Sequence, residues 1–258
     1  MSTFHLRYHL RLYLVRHGES TNNALTRLQG YEAYMLSRSN DPLLSPTGLL
    51  QAEKVGPLVA RLLGQDREQL LAADGADAPL HERMEVSPMW RAMQTAQPIA
   101  QALGMAPTVR TDIFEHGGIF LRGEDGISKG YPGADRAKIQ ASFPTYALAD
   151  EITEEGWWRG AEEDLAACHA RAIRVAHGLR EEAQAAKEAG IRQRVVMVSH
   201  GTFMDALLKA IFFQLPSYAV YYYHNNTGVT CIDFNHPEVA LRFSNRLDHL
   251  DGPETITY

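Results

Sequence analysis

The sequence predicts an α/β fold, a three-layer αβα sandwich around a mostly parallel central sheet. Three observations carry this. Short β-rich runs alternate with longer segments of helical period, which is the pattern of a sheet covered by helices. The runs Leu12–Val15 and Val195–Val198 are apolar at consecutive positions, as strands buried on both faces are. The helical segments begin and end on recognisable capping residues.

Taken in order, Phe4, Leu6, Tyr8, Leu10, Leu12 and Leu14 alternate with His5, Arg7, His9 and Arg11, a strand period rather than a signal peptide or membrane span. The first strand core is Arg11–Val15. Ser45 then caps a helix with Pro46 at its first position and Leu49, Ala52, Val55, Val59 and Leu62 along one face, expected to stop at Gly64. Met84–Ser87 is the second strand. A helix follows from Trp90 to Leu103 with Gly104 after it, and Pro98 inside is expected to kink or divide it. From Asp112 to Gly160, glycines interrupt any long element, so residues 112–160 are expected to form a loop-rich insertion covering the site within one domain spanning 1–258. A long helix over Glu162 to Ala189 carries Leu165, Ala172, Val175, Ala176 and Leu179 on one face and ends in a solvated stretch, Glu181 to Ala189. Val195–Ser199 is a strand, and the helix after Thr202 holds Met204, Leu207, Leu208 and Ile211 before Pro216. Val229–Phe234 and the weaker Val239–Phe243 close the chain.

Composition narrows the function. The chain has 258 residues, 45% hydrophobic and 22% charged, enough to bury about 70% of its unfolded surface without staples. With 25 Lys+Arg against 31 Asp+Glu the net charge is −6, which excludes a global footprint for nucleic acid, so a bound anion must meet a local cluster of cations. Cys168 and Cys231 are the only cysteines and have no zinc-ligand spacing, a usage that fits a reducing, cytoplasmic setting.

In open α/β sheets, ligands gather beyond the carboxyl ends of the strands. Arg16, His17, Gly18, Glu19 and Ser20 directly follow the first strand. An imidazole there is a nucleophile if one ring nitrogen donates to a backbone carbonyl and the other is left unprotonated. Arg16 offers a planar fork of donors for phosphate oxygens, and Gly18 lets the turn approach without a Cβ. Ser199, His200, Gly201 and Thr202 repeat the design at a later strand end, where helix N-terminal amides also favour an anion. One such histidine alone is more often structural, but two matching turns make coincidence a poor explanation.

Arg16-His17-Gly18-Glu19-Ser20 with Asn23, then Gln29-Gly30, then Asp41 to Leu43 leading into Ser45, Gly48, Gln51 and Ala52, resemble the first block of the histidine phosphatase superfamily, which includes the cofactor-dependent phosphoglycerate mutases. Ser87-Pro88, Arg91-Ala92 and Thr95-Ala96 are similar to its second block, and Ser199-His200-Gly201 to its third. The resemblance implies that His17 forms a phosphohistidine, that Arg16, Arg91 and a protonated His200 hold the phosphoryl oxygens, and that Asn23, Gly201 and Thr202 add donors. It implies Glu115 as the proton donor, with Glu124 and Asp125 as neighbouring competitors. Glu19 is expected to be structural.

Other residues have weaker support. Trp157, Trp158 and Arg159 either line the substrate mouth or pack between loops; Arg27, Arg38, Arg122 and Lys129 either bind a second acidic group or are solvated, the latter being favoured for each singly. Tyr218, Tyr221, Tyr222 and Tyr223 are expected to pack around the last strands, and His116 and His224 lack motif support. The segment between Gly30 and Asp41, with Tyr31, Tyr34 and Met35, is longer than in the shortest members and is expected to reshape the pocket entrance. The mutases' paired arginines after the acid, and their Asn-Arg-Phe stretch, are not visible. The leading expectation is therefore a metal-independent phosphatase acting on a small-molecule phosphate ester, without cofactor, nucleic acid or membrane partner; the oligomeric state stays open, with a homodimer among the options. A phosphoglycerate mutase, a non-catalytic phospho-ligand binding protein and a metal hydrolase using His17 and His200 are the alternatives.

Overall fold

The computed structural model describes residues 8–74, 79–123, 125–217 and 219–258. In chain order the elements are β1 (Leu10–Arg16), α1 (Thr21–Ser37), α2 (Pro46–Asp74), β2 (Leu80–Val86), α3 (Trp90–Leu103), β3 (Thr108–Val109), β4 (Phe120–Arg122), β5 (Ser128–Gly130), α4 (Arg136–Ser142), β6 (Ala147–Leu148), α5 (Leu165–Ala189), β7 (Arg192–Ser199), α6 (Gly201–Ile211), β8 (Val229–Asn235) and β9 (Glu238–Arg246). Seven strands form one sheet in the order β6-β3-β2-β7-β1-β8-β9. The first five in that order pair in parallel, while β8 joins β1 and β9 joins β8 antiparallel. The early N-terminal positions Phe4 and Leu6 lie outside the described residues.

The central strands β1, β7 and β8 are buried on both faces, as consecutive apolar runs require, while the edge strand β9 is largely exposed. Tyr13, Val15, Val196 and Val198 face a core built with α2 and α3, whereas Leu12, Leu14, Val195 and Met197 face one built with α5 and α6. Helix α5 starts on Asp164, whose side chain accepts from the Ala167 amide, and ends on Gly190 at φ 66°. Ala172, Val175, Ala176 and Leu179 are buried as expected, Leu165 only partly.

Three elements depart from expectation. Helix α2 passes through Gly64, where a Cβ would meet nothing within 4 Å, and continues to Asp74. Its extension is held by the buried Asp66, which pairs with Arg11 of β1 and Arg194 of β7. Pro98 does not divide α3, which runs unbroken to a left-handed cap at Gly104. Helix α1 was not expected, and its second half runs through the stretch after Gly30 expected to reshape the pocket entrance; it is capped by Ser20 and Asn23 in a reciprocal capping box, has no buried residue, and bends at Gly30, φ 87°.

Segment 112–160 divides in two. The β4–β5 hairpin flanks the functional cavity, but Ile139, Phe143, Tyr146, Ile152 and Trp157 pack into the α2/α3 core and β6 lengthens the sheet. Much of the expected cover is therefore packing. Among the described residues, no helix is long and apolar enough to cross a membrane.

Candidate active site

Parallel pairing of β1 with β7 sets Arg16 opposite Ser199, so the two histidine turns leave the sheet side by side. Pairing of β2 with β7 brings Ser87 to the same edge, its amide bonded to the Val198 carbonyl at 3.1 Å. The His17 amide donates to the Ser199 carbonyl at 2.9 Å, and the Gly18 amide to Thr95 Oγ1 at 2.9 Å. Behind the turn, the start of α2 packs so closely that a Cβ on Gly18 would lie 2.6 Å from the Gly48 carbonyl oxygen, and one on Gly48 would lie 2.0 Å from that of Glu19. The motif glycines therefore answer to backbone contact. Glu19 is buried, accepts from Ser45 Oγ at 2.7 Å and from Arg27 Nε at 2.8 Å, and its amide donates to Gln51 Oε1 at 2.8 Å.

The His17 ring has a defined tautomer. Its Nδ1 lies 2.6 Å from the Gly18 carbonyl oxygen, an acceptor, so Nδ1 carries the proton. Nε2 is left with its lone pair and accepts from Arg91 Nε at 3.2 Å. The His200 ring packs against it with centroids 5.0 Å apart, and His200 Nε2 lies 2.7 Å from Ser87 Oγ. Burial, followed by the charge of Arg91, pushes both imidazoles well below the usual histidine pKa. In the free site the His200 ring is thus held toward the neutral form, and the protonated His200 expected beside a dianion belongs to the phosphate-bound state. His200 is also fully buried, behind rather than in the cavity wall.

Arg91 enters from the first turn of α3 and is buried. Its Nη1 is 3.8 Å from Asp41 Oδ1, an oxygen that also accepts from the Trp90 amide at 3.2 Å. Asp41 thus serves the N-terminus of α3, where Met89 supplies no side-chain cap. Burial raises its carboxyl pKa to about 6 despite the opposing pull of Arg91. Arg16 is fixed by donation from Nη1 to the His224 carbonyl at 2.6 Å. Asn23 spends its Oδ1 on the Ser20 amide and hydroxyl, at 3.1 and 2.8 Å, leaving Nδ2 as the donor it offers to the cavity.

Glu115 reaches the start of α6. One oxygen accepts from the amides of His116 at 2.8 Å and Phe203 at 3.0 Å, the other from Thr202 at 3.3 Å. The helix N-terminus expected to greet an anion through Gly201 and Thr202 is thus occupied in part by this carboxylate. His200, the N-cap residue, makes no side-chain cap bond, and Glu115 fills that role from another segment. Asp125 is exposed and bonds its own loop at Ile127; Glu124 lies outside the described residues.

The cavity enclosed is about 410 Å³. Its wall brings together Arg16, His17, Asn23, Arg91, Glu115 and Thr202, and does not include His200 or Gly201. Helix α1 and the segment after it contribute Tyr31, Tyr34, Arg38 and Asn40, and the insertion contributes His116, Gly118 and Phe120. Asp41's part and the wall of α1 were missed by sequence reasoning; the Ser20/Asn23 capping pattern was the signal that could have revealed the helix. Trp157 and Trp158 pack against Phe114, at 5.5 and 4.9 Å between centroids, outside the cavity wall. Arg122 pairs with Glu162 at 2.7 Å and Lys129 lies over the Tyr131 ring. His224 bonds Thr230 Oγ1 at 2.7 Å and the Tyr222 carbonyl at 3.0 Å, a structural residue. Tyr221 and Tyr223 are exposed rather than packed against the last strands, and Tyr218 lies outside the described residues. Among the described residues no three His, Cys, Asp or Glu side chains cluster as a metal site.

Residues 12–246 match the family model of the histidine phosphatase superfamily, branch 1. Solved structures with the same fold include phosphoserine phosphatase from Entamoeba histolytica in complex with 3-phosphoglyceric acid, at 21% identity and TM-score 0.51, covering 93% of this chain and 98% of that one. A mycobacterial glucosyl-3-phosphoglycerate phosphatase complexed with VO3 has 22% identity, TM-score 0.52 and coverage of 92% and 99%. A protein described as mycobacterial hydrolase 2 has 21% identity, TM-score 0.54 and coverage of 95% and 94%. No curated protein sequence matches the chain. The family match spans nearly the whole molecule and includes both histidine turns, and the chain therefore belongs to the histidine phosphatase superfamily, branch 1.

Proposed function

We propose that the protein is a metal-independent phosphatase that hydrolyses phosphate monoesters through a phosphohistidine at His17 Nε2. The observation that carries this reading is the bonding of the His17 ring: a proton pinned on Nδ1 by the Gly18 carbonyl and a lone pair on Nε2 beside a guanidinium, in the wall of a cavity that also holds Arg16 and Glu115. An incoming dianion would draw the Arg91 N–H groups from Nε2 onto phosphoryl oxygens and free the lone pair. Arg16 Nε and His200 Nδ1 are buried and have no hydrogen-bond partner among the described residues, the groups an equatorial oxygen would satisfy.

In the first step the Nε2 lone pair forms the N–P bond, the P–O ester bond breaks, and the leaving oxygen takes a proton from Glu115. In the second, water gives that carboxylate a proton as it attacks phosphorus; the N–P bond breaks and inorganic phosphate leaves. The protein's part is largely positioning and charge stabilisation. Similarity to solved phosphatases supports hydrolysis over mutase chemistry. Substituting His17→Ala is expected to abolish phosphate release from p-nitrophenyl phosphate and acid-labile labelling of the protein; undiminished release would overturn the mechanism. Isomerisation of 3-phosphoglycerate without net phosphate release would instead identify a mutase, and loss of activity in chelator a metal enzyme.

A further inference from the structure

One guanidinium of the cavity has no part in the phosphoryl chemistry above. Three guanidinium groups, from Arg16, Arg38 and Arg91, line it against a single carboxylate, Glu115. Arg16 and Arg91, the latter backed by Asp41 at 3.8 Å, face the proposed phosphoryl position, which leaves Arg38 as the guanidinium without a role there. Glu115 is held by helix amides rather than by Arg38, and must be protonated when it serves the leaving group.

Arg38 is built into place. Its amide donates to the Tyr34 carbonyl at 3.0 Å as the cap of α1. Its guanidinium lies 4.5 Å from the Phe120 ring centroid and 5.2 Å from that of Tyr34, and Nη2 reaches the Phe120 carbonyl at 3.5 Å. Aromatic faces orient a planar cation without neutralising it. Nε is buried with no hydrogen-bond partner, and no carboxylate pairs with Arg38 among the described residues. Its neighbours in sequence and space differ: Arg27 is paired with Glu19 and Arg122 with Glu162.

We propose that Arg38, presented between Tyr34 and Phe120, binds a second anionic group of the substrate, so that the protein acts preferentially on small phosphomonoesters that also carry a carboxylate or another phosphate. This rests on the phosphatase reading above. The segment that delivers Arg38 is the lengthened stretch between Gly30 and Asp41, so selectivity resides in the part of the cavity wall that the catalytic motifs do not supply. A cavity of about 410 Å³ fits a ligand of that size.

The test compares kcat/KM for matched pairs, 3-phosphoglycerate against glycerol 3-phosphate and fructose 1,6-bisphosphate against fructose 6-phosphate, in the wild type, Arg38→Gln and Arg38→Lys. The wild type is expected to favour at least one acidic member, and Arg38→Gln to reduce that preference roughly ten- to a hundredfold, the range for losing a charged hydrogen bond. Arg38→Lys should keep part of it. Preference for the carboxylate pair or the bisphosphate pair identifies which anion is read, and either supports the inference. Turnover with no preference in the wild type, or an equal loss on both members of a pair in Arg38→Gln, would overturn it and leave the phosphatase reading intact. Absence of turnover on every ester would overturn both.

Discussion

Asp41 links the stability of the fold to the function of the site, and Asp41→Asn separates the two. The carboxyl group is 8% exposed and has one oxygen on the Trp90 amide and near Arg91, while the other has no hydrogen-bond partner among the described residues. Burial lifts its pKa from 3.8 to about 6. Between those pH values the folded protein retains a proton that the unfolded chain has released, so stability falls as pH rises and the loss is complete above about 6. A rise of roughly two pKa units corresponds to a cost of about 3 kcal/mol at most. Asparagine keeps an acceptor for Trp90 and does not titrate. The difference in unfolding free energy, variant minus wild type, should therefore grow by up to about 3 kcal/mol between pH 4 and 7.5, then level off. Denaturant unfolding at a series of pH values measures it, and any constant effect of the substitution cancels from the pH dependence. Meanwhile kcat/KM should fall, because Arg91 loses the carboxylate beside its Nη1. A difference that is flat with pH, or that shrinks as pH rises, would refute the assignment of a buried, proton-retaining Asp41.

Gly48→Ala forces a Cβ to within 2.0 Å of the Glu19 carbonyl oxygen and should cost about 1–3 kcal/mol or more, whereas Gly64→Ala, in open space on the same helix, should stabilise by about 0.4–1 kcal/mol; thermal unfolding of the pair checks both. Glu115→Gln should lower kcat/KM for an alkyl phosphate by about 10²–10⁴-fold but that for p-nitrophenyl phosphate far less, because kcat/KM reports the phosphorylation step and that leaving group needs no proton, while kcat should fall for both as water loses its base; equal losses in kcat/KM would remove Glu115 as the acid. His17 and His200 are both held neutral in the free site. Saturation with phosphate or vanadate at pH 7 should move one ring to the imidazolium form by ¹⁵N NMR, since a nearby dianion raises the pKa that burial lowered; unchanged ring signals would count against an oxyanion beside His200.

The two histidine turns were legible because their residues are local to strand ends. Arg16 and His17 leave β1, Ser199 and His200 leave β7, and adjacency of two buried parallel strands makes neighbours of turns 183 positions apart, as the pairing of Arg16 with Ser199 shows. The helix that follows the first turn was not legible. Helix α1 has no buried residue, so it leaves no apolar stripe for periodicity to detect, and Gly30 bends it midway. Helix α2 runs past Gly64 because the ion-paired Asp66 just beyond ties the chain to β1 and β7, a tertiary contact that outweighs the local cost of glycine.

The sequence by itself therefore determined the layers of the fold and which side chains directly follow the strands, since burial period and the residues after each strand are local features of the chain. Only the tertiary structure decided the charge states and the reach of the cavity. The neutral His200, the raised Asp41, Glu115 on the first turn of α6 and Arg38 between Tyr34 and Phe120 each depend on groups brought from distant segments. Desolvation and close approach act through space, and no window of consecutive residues contains them.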